Sequence, residues 1–499
     1  MRRPAASVLV AALFLAARGV PAGEQVMAEF KNARAVTPEA LQHVQNKGVV
    51  AEFLDPGDTG LGKSVSYLLW RELLTAISDQ AGAGVIVAEA SPGERLVDLI
   101  EQDYHEAALR IATNQKARLA LWGAVDAEGD RLFVDSYVTV LTGGRASDLR
   151  LRLGASAPTL PPDELKRVQD AASTFEARLA RPRFGLATVE VTRAELFERP
   201  LIAEGALLLR ERPAADAPVL LRVASGSVLQ AVDMEGGWFK IQLPDRRFGY
   251  LPAGRQEGSR GTLLALRVPP KWVEANATGV VLRGGPGRDG PSLGRRDLRG
   301  RFRVLDMRYR AGQGLWYRIA LDAGNGWVPA WVAAVAVRPR FSLPAVHLVA
   351  GLYRYYAERF LDAAAEFQQF LEAPRVTESA ANRAAAHQLL GASLLPAGRT
   401  QPAWKAFTTA IDLTPYDPDV YMVRSVACVG LGRAETALED VAKALELDPR
   451  NTRARAFAWS IAELAESRGH PLLQEMSRLS AQRARSSELV RRYGITRPD

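Results

Sequence analysis

The spacing of apolar positions changes character twice along the 499 residues. Over the first third, short apolar runs alternate with helical stripes. Residues 49–54 (VVAEFL) predict a buried strand, and residues 63–77 place Val65, Leu68, Leu69, Leu73, Leu74 and Ile77 on one side of a helix. Residues 84–88 (GVIVA) predict a second strand. Ser91-Pro92 opens a helix that keeps Leu96, Leu99, Ile100, Tyr104, Ala107, Ala108 and Ile111 in one stripe, proline being suited to a first helical turn. Strands over 119–127 and 132–141 flank a Glu128-Gly129-Asp130 turn, and a helix is expected over 162–179. Residues 23–183 therefore read as an α/β domain.

From residue 200 the helical period disappears. Short alternating runs separated by Gly, Pro and Trp predict two small all-β units, over 200–256 and 270–338. The first carries Leu207-Leu208-Leu209-Arg210, Gly237-Trp238-Phe239-Lys240-Ile241 and Gly249-Tyr250-Leu251. The second carries Val281-Leu282-Arg283, Leu315-Trp316-Tyr317-Arg318-Ile319 and Gly326-Trp327-Val328. Large aromatics suit a unit of this size, because they fill a small core with few side chains. The helical period returns over 343–465, now as a repeat. The pairs Gly398/Gly432, Ala403/Ala437, Ala410/Ala444 and Pro415/Pro449 are each 34 residues apart, the period of helix–turn–helix repeats. Residues 466–499 read as a capping helix and tail.

The start of the chain adds an address. Arg2 and Arg3 precede an apolar run over 8–17, and Val20-Pro21-Ala22 offers small residues for cleavage after Ala22. The run is well short of the roughly 20 residues that span a bilayer. A signal peptide over 1–22 and a periplasmic or secreted protein are the expectation, with membrane association only through partners. Composition is that of a globular protein, 47% hydrophobic and 24% charged. The formal charge is +8, and only nine of the 64 basic residues are Lys, so the surface is Arg-dominated. The lone Cys428 leaves no internal disulfide, and stability must come from apolar cores.

Three resemblances follow from these residues. Gly391, Gly398, Ala403, Phe407, Ala410 and Pro415, then Tyr421, Gly432, Ala437, Ala444 and Pro449, resemble tetratricopeptide repeats (TPRs); Gly351, Phe360, Ala363 and Phe367 mark an earlier, divergent copy. The two middle units resemble tandem bacterial SH3-like barrels. The order of the first domain, with Gly60-Leu61-Gly62-Lys63-Ser64 opening a helix, resembles the small periplasmic α/β domain of the TolB amino-terminal, FlgO and curli-export families. The expected fold is thus multidomain: α/β, two small all-β barrels, and an all-α repeat solenoid.

The sharpest chemical motif is GDTGLGKS over 57–64, which fits a phosphate-binding loop after a strand and before a helix. Gly57 and Gly62 would open the turn, Lys63 would reach terminal phosphates and Ser64 would hold Mg²⁺. An exported protein meets little nucleoside triphosphate, and the nearest acid, Asp126, falls in a hairpin. The motif is therefore kept as an alternative, a nucleotide-binding enzyme, and no cofactor is expected. The five His residues have no metal-ligand spacing, so no metal site is expected, and Cys428 reads as a buried inert thiol. Arg295, Arg296, Arg299, Arg301, Arg303, Arg308 and Arg310 read as a solvated face.

The reading that unites the modules is a non-catalytic scaffold at the cell envelope, with a component of an envelope assembly or export machine as alternative. The TPR resemblance implies a protein or peptide partner in a concave groove lined by Gln388, Ala392, Leu395, Asp419, Met422 and Val426. The SH3-like resemblance implies peptidoglycan or peptide contact through Trp238, Trp316 and Trp327, whose other role is barrel core. Nucleic acid is not expected.

Overall fold

The computed structural model describes residues 46–77, 83–88, 104–142, 145–146, 149–152, 176–179, 183–254, 266–310, 312–322, 326–373 and 379–451. The expected signal peptide, the start of the helix at 91, residues 162–175 and the capping helix after 465 lie outside the described residues. Residues up to 137 and those from 188 to 349 form one compact unit; residues 138–187 and those from 350 onward form another. These units cut across the sequence-derived segments.

In the first unit, β1 (Asn46–Ala51) pairs in parallel with β2 (Ala83–Ala88) and with β3 (Leu119–Glu128). The sheet continues to β4 (Arg131–Thr142), whose first half carries β9 (Val189–Thr192) on its other edge. Helix α1 (Leu61–Ala76) and helix α2 (Tyr104–Asn114) supply the crossovers expected of parallel strands. The apolar stripe of α1 lies on the sheet, where Trp70 donates to the Val85 carbonyl at 2.8 Å and Ser66 accepts from Phe53 N at 2.8 Å. Its opposite face is also buried, which its polar residues did not announce. Arg71 donates to the carbonyls of Ala253 (2.7 Å) and Leu266 (3.0 Å), and Thr75 to that of Val268 (2.9 Å).

The short α3 (Arg193–Phe197), closed by a Thr192/Glu195 capping box, leads into the first β unit. Its strands are β10 (Arg199–Ala203), β11 (Leu207–Arg210), β12 (Val219–Val223), β13 (Val228–Glu235), β14 (Trp238–Gln242), β15 (Phe248–Pro252) and β16 (Leu266–Arg267). They form one sheet in the order β12-β11-β15-β14-β13-β10-β16. The second β unit holds β17 (Trp272–Arg283), β18 (Ser292–Arg310), β19 (Gly314–Asp322), β20 (Trp327–Ala333), a single 3₁₀ turn and β21 (Arg338–Arg340). Strand order is β18-β19-β20-β17-β21, and an added β17–β18 pairing closes four strands into a ring. Val273, Leu282, Leu298, Val304, Tyr317, Ile319 and Val332 fill it.

The two β units repeat in detail. Arg210 and Arg283 each donate to a carbonyl seven residues on, Ala217 and Gly290. Each unit breaks register at an Asp-Met pair, where Asp233 and Asp306 accept from the following N–H at 2.8 and 2.7 Å, the geometry of a β-bulge. This register corrects the sequence alignment. Tyr250 pairs with Lys240 and Arg210, and its counterpart, paired with Arg318 and Arg283, is Trp331 rather than Trp327. The paired hairpin of the last two strands is longer in the second copy, running on to Asp322 and Trp327, which carries Trp327 away from the place of Tyr250.

Glu72 of α1 and Arg199 of β10 form an ion pair of 2.7 Å with both side chains fully buried. Ser342 donates its N–H (3.1 Å) and hydroxyl (2.7 Å) to Glu72, and Arg199 also reaches the Ser342 hydroxyl and the Leu196 carbonyl. Hydrogen bonds of this number are what a buried pair needs to offset its desolvation.

The second unit holds β5 (Arg145–Ala146) and β8 (Arg183–Gly185) on the end of β4, and a β6 (Leu149–Arg152)/β7 (Glu176–Leu179) antiparallel pair. The strand β7 corrects the helix expected through residue 179: residues 149–152 supply its backbone partners, information that local periodicity does not hold. Six helices follow, α4 (Pro344–Tyr356), α5 (Phe360–Glu372), α6 (Ala380–Leu394), α7 (Thr400–Leu413), α8 (Pro418–Gly430) and α9 (Ala434–Leu447). They are three helix pairs, consistent with a TPR-like solenoid. At each turn within a pair, the N–H of Arg359, Arg399 or Arg433 returns to the carbonyl five residues back, at 2.8 to 2.9 Å. The residue before each Arg is left-handed, Glu358, Gly398 or Gly432. This is the helix-ending arrangement that favours glycine. A Cβ on Gly351 would stand 2.6 Å from the Phe367 ring, and one on Gly391 2.5 Å from the Phe407 ring. In the third pair both partners change together: Ser425 replaces the glycine and Val441 the phenylalanine.

Candidate functional site

Two places inherit the sequence-predicted chemistry. The first is the start of α1. Gly60, at φ 78, ends the loop without a capping side chain of its own. The carboxylate of Asp55, five residues earlier, accepts from Leu61 N (2.9 Å), Gly62 N (3.3 Å) and Thr59 Oγ1 (3.0 Å). Two of the helix-terminal donors that would meet a phosphate thus already hold an anion of the chain itself. Ser64 is buried, donates to the Gly60 carbonyl at 3.0 Å and accepts from Gly237 N at 3.3 Å. The Gly236-Gly237 turn of the first β unit lies over it: a Cβ on Gly60 would come 3.3 Å from Gly236 Cα, and one on Gly237 2.9 Å from Tyr67. Lys63 lies along Tyr67, its Nζ 6.0 Å from the ring centre. Gly57 is exposed in the turn. Asp126 is exposed on β3 and accepts from its neighbour Ala127 N.

The second place is the face shared by α6 and α8. Ser379 caps α6 by accepting from Asn382 N, and Asp417, followed by Pro418, caps α8 by accepting from Asp419 N at 3.0 Å. Gln388, one helix over, donates Nε2 to Asp417 Oδ2 at 3.2 Å. Burial pushes the Asp417 carboxyl above its ordinary range, partly offset by the Asp419 N–H and the Gln388 amide. Of the expected groove residues, Ala392, Leu395, Met422 and Val426 are buried, Gln388 is 2% exposed and Asp419 is half-buried. Five of the six are therefore buried among the described residues. β7 lies against α8, and Asn382 Nδ2 donates to the Gly185 carbonyl at 2.9 Å. Among the described residues, Gln388 Oε1 has no hydrogen-bond partner although it is buried. Such an orphan acceptor costs on the order of 1–3 kcal/mol. Asp417 fixes its direction, because turning the amide over would set two oxygens against each other.

The three candidate tryptophans separate. Trp316 is buried, Trp238 is half-buried opposite Glu235 and Pro252, and Trp327 is 71% exposed at the start of β20. In the arginine run, Arg303 pairs with Glu198, Arg308 with Asp306, and Arg310 donates to the Pro286 carbonyl; Arg295, Arg296, Arg299 and Arg301 are exposed. Cys428 is buried in α8, 3.9 Å from Asp440, and burial followed by that carboxylate pushes its thiol up to about 12. Asp440 itself receives a two-pronged ion pair from Arg424, at 2.9 and 2.6 Å. Sequence reasoning missed Asp55, Asn382 and Asp417. Only Asp417 carried a signal, an Asp-Pro pair at a helix start.

No family model matches the chain, and no curated protein matches it. Among solved structures it is similar to the first TPR domain of human RPAP3, at 17% identity and TM-score 0.22, over 25% of this chain and 94% of that one. The Arabidopsis OM64 TPR domain matches at 20% identity and TM-score 0.22, over 24% and 93% of the two chains. MamA matches at 20% identity and TM-score 0.24, over 31% and 79%. Likeness at these TM-scores decides nothing about function; the 34-residue register and the turns within helix pairs are properties of the chain itself.

Proposed function

We propose that this chain is a non-catalytic scaffold, exported to the cell envelope, whose helical repeats hold a segment of protein between α6 and α8. The observation that carries the reading is Gln388: a buried amide held by Asp417 with its carbonyl oxygen unpaired on the face that repeat proteins offer to peptides. The remaining modules fit the same reading. The closed ring of four strands, the 3₁₀ turn and the return of β21 to β17 support SH3-like barrels, with peptide or peptidoglycan as their contact and exposed Trp327 as its candidate. The start of α1 joins the α/β sheet to the first of these units through Ser64 and Gly237, which supports a structural use of the phosphate-loop sequence.

The test is photo-crosslinking in the periplasm with a probe at Asp419, the half-buried rim of the groove, and a control probe at exposed Tyr416, followed by purification of the full chain. A protein adduct specific to position 419 is expected. No adduct above the control, or a chain retained in the cytoplasm with residues 1–22 uncleaved, would overturn the reading.

A further inference from the structure

The fold disperses the arginine run of the second β unit, and part of it joins residues far from it in sequence. Strand register sets this out. Trp272 of β17 stands opposite Arg303 of β18 and Arg340 of β21. Glu274 stands opposite Arg301 and Arg338, and Asn276 opposite Arg299. Directly opposed residues of an antiparallel pair share a face, as do alternate residues of one strand. Val273 and Ala275, which lie between them on β17, are buried in the barrel, so these rows form its outer face.

The result is a track between two cationic rails. β18 and β21 supply the arginines, and β17 between them carries an aromatic ring, a carboxylate and an amide. Alternate residues of a strand stand about 6.6 Å apart and neighbouring strands about 4.8 Å, so the arginines spring from an area of roughly 13 by 10 Å. Arg340 holds Glu274 at 2.6 Å, and Arg303 holds Glu198 at 3.1 Å. Asp297, next along the β18 rail, accepts from Gly279 N at 2.8 Å. Arg299, Arg301 and Arg338 are exposed, and among the described residues their guanidiniums have no ion pair. A charge run is ordinarily a solvated face, and charge on an edge strand guards against stray pairing. Neither role needs a tryptophan, 39% exposed, between the rails.

The groups on this face select a ligand class. A planar guanidinium matches a carboxylate, and the face already holds two carboxylates of the chain itself, Glu198 and Glu274. Glu274 and Asn276 offer acceptors to hydroxyl groups. The flat ring of Trp272 suits the C–H face of a sugar, an apolar surface rimmed by polar groups. An anionic membrane would meet the same charges, but one half-covered tryptophan gives it little apolar area to bury. We propose that this face of the second β unit binds a carboxylate-bearing glycan, its acid groups on the arginine rails and its sugar rings along β17. The site is independent of the repeat groove and is built without Trp327.

The experiment uses the full chain and polygalacturonate, with binding read by calorimetry at low salt. Arg299→Gln with Arg301→Gln removes two charges from one rail. Arg295→Gln with Arg296→Gln removes two charges from the same strand, beyond the register shift that ends the face. The first pair should weaken binding at least about ten-fold and the second less than about two-fold. Trp272→Ala should weaken it about five-fold, and Trp272→Tyr should restore most of that loss. Equal losses in the two double variants would make the effect one of diffuse charge and overturn the proposal, as would the absence of binding in wild type.

Polyglutamate of matched charge and phosphatidylglycerol vesicles are the other arms. Each should bind at least about ten-fold more weakly than polygalacturonate and be indifferent to Trp272→Ala. Polyglutamate bound as tightly would make the partner an acidic polypeptide, and vesicles bound as tightly would make it a membrane surface. Either result would overturn the glycan. It would leave the scaffold reading standing, which the position-419 crosslink decides separately.

Discussion

At the start of α1, Asp55 gives one carboxylate to two helix-terminal N–H groups and a hydroxyl, and the Gly236-Gly237 turn covers what remains. Between α6 and α8, the Asn382 and Gln388 amides donate to the Gly185 carbonyl and the Asp417 carboxylate, and among the described residues the Gln388 carbonyl oxygen has no hydrogen-bond partner. Both places carry residues that the sequence marked as candidates for binding, and in both some of those residues are already held by the chain itself. The difference lies in the remainder. A seat whose donors are all matched gains nothing from a ligand and loses a domain contact by admitting one. A seat with a buried orphan acceptor gains when the right main chain arrives.

That contrast can be broken in several places. The largest effect should come from behind the first seat. Glu72→Ala strands the Arg199 charge in the core and should cost about 3–5 kcal/mol in urea unfolding, whereas replacing both residues with Met should recover most of it. Next, Asp55→Ala should cost about 1–2 kcal/mol, the worth of a helix N-cap. In that variant inorganic phosphate should restore part of the thermal midpoint, while wild type should give no heat with ATP and Mg²⁺. Heat in wild type that disappears in Lys63→Ala would make the first seat a nucleotide site after all.

At the second seat the balance is reversed. Gln388→Leu removes the orphan acceptor but also the donor to Asp417, so the two effects oppose and folding stability should fall by about 1 kcal/mol or less. Crosslinking from the probe at position 419 should nonetheless fall several-fold. A large loss of stability with unchanged crosslinking would make Gln388 a packing residue. Asp417→Asn keeps both the cap and an acceptor for Gln388. The folded-state carboxyl of Asp417 is raised, so its contribution to stability is present below its unfolded value and lost as pH rises through its folded value. The Asn variant should therefore equal or slightly exceed wild type at neutral pH, within about 0.5 kcal/mol, and the margin should close on acidification. The smallest effect is at Cys428: with its thiol up to about 12 and buried, a disulfide reagent at pH 8 should label it only as fast as the chain unfolds.

Elements with their own strong period were legible: α1 and the β3–β4 hairpin stand where the apolar spacing put them, β1 begins three residues before its expected run, and the helix pairs fall inside the stretch whose helical period repeats. So was the coupling of Gly391 to Phe407, because a repeat writes the same contact more than once. What failed did so for want of a partner in the sequence window. Residues 176–179 carry a helical stripe but meet residues 149–152 as a strand. Trp327 has the right spacing but the wrong register, and Trp331 holds the place of Tyr250.

The candidate sites divide in the same way. GDTGLGKS determines a tight turn and a helix start, and both are present; those are local demands of glycine and of helix geometry. Whether the helix start faces solvent or a carboxylate depends on Asp55 and on a turn some 170 residues later, and only folding brings them together. The repeat determines which positions of α6 and α8 look into a groove. That Asn382 donates to the Gly185 carbonyl, some 200 residues earlier in the chain, was decided by tertiary structure alone. An amide hydrogen bond to a main-chain carbonyl leaves no mark on the sequence of the segment it holds, since every residue offers that carbonyl.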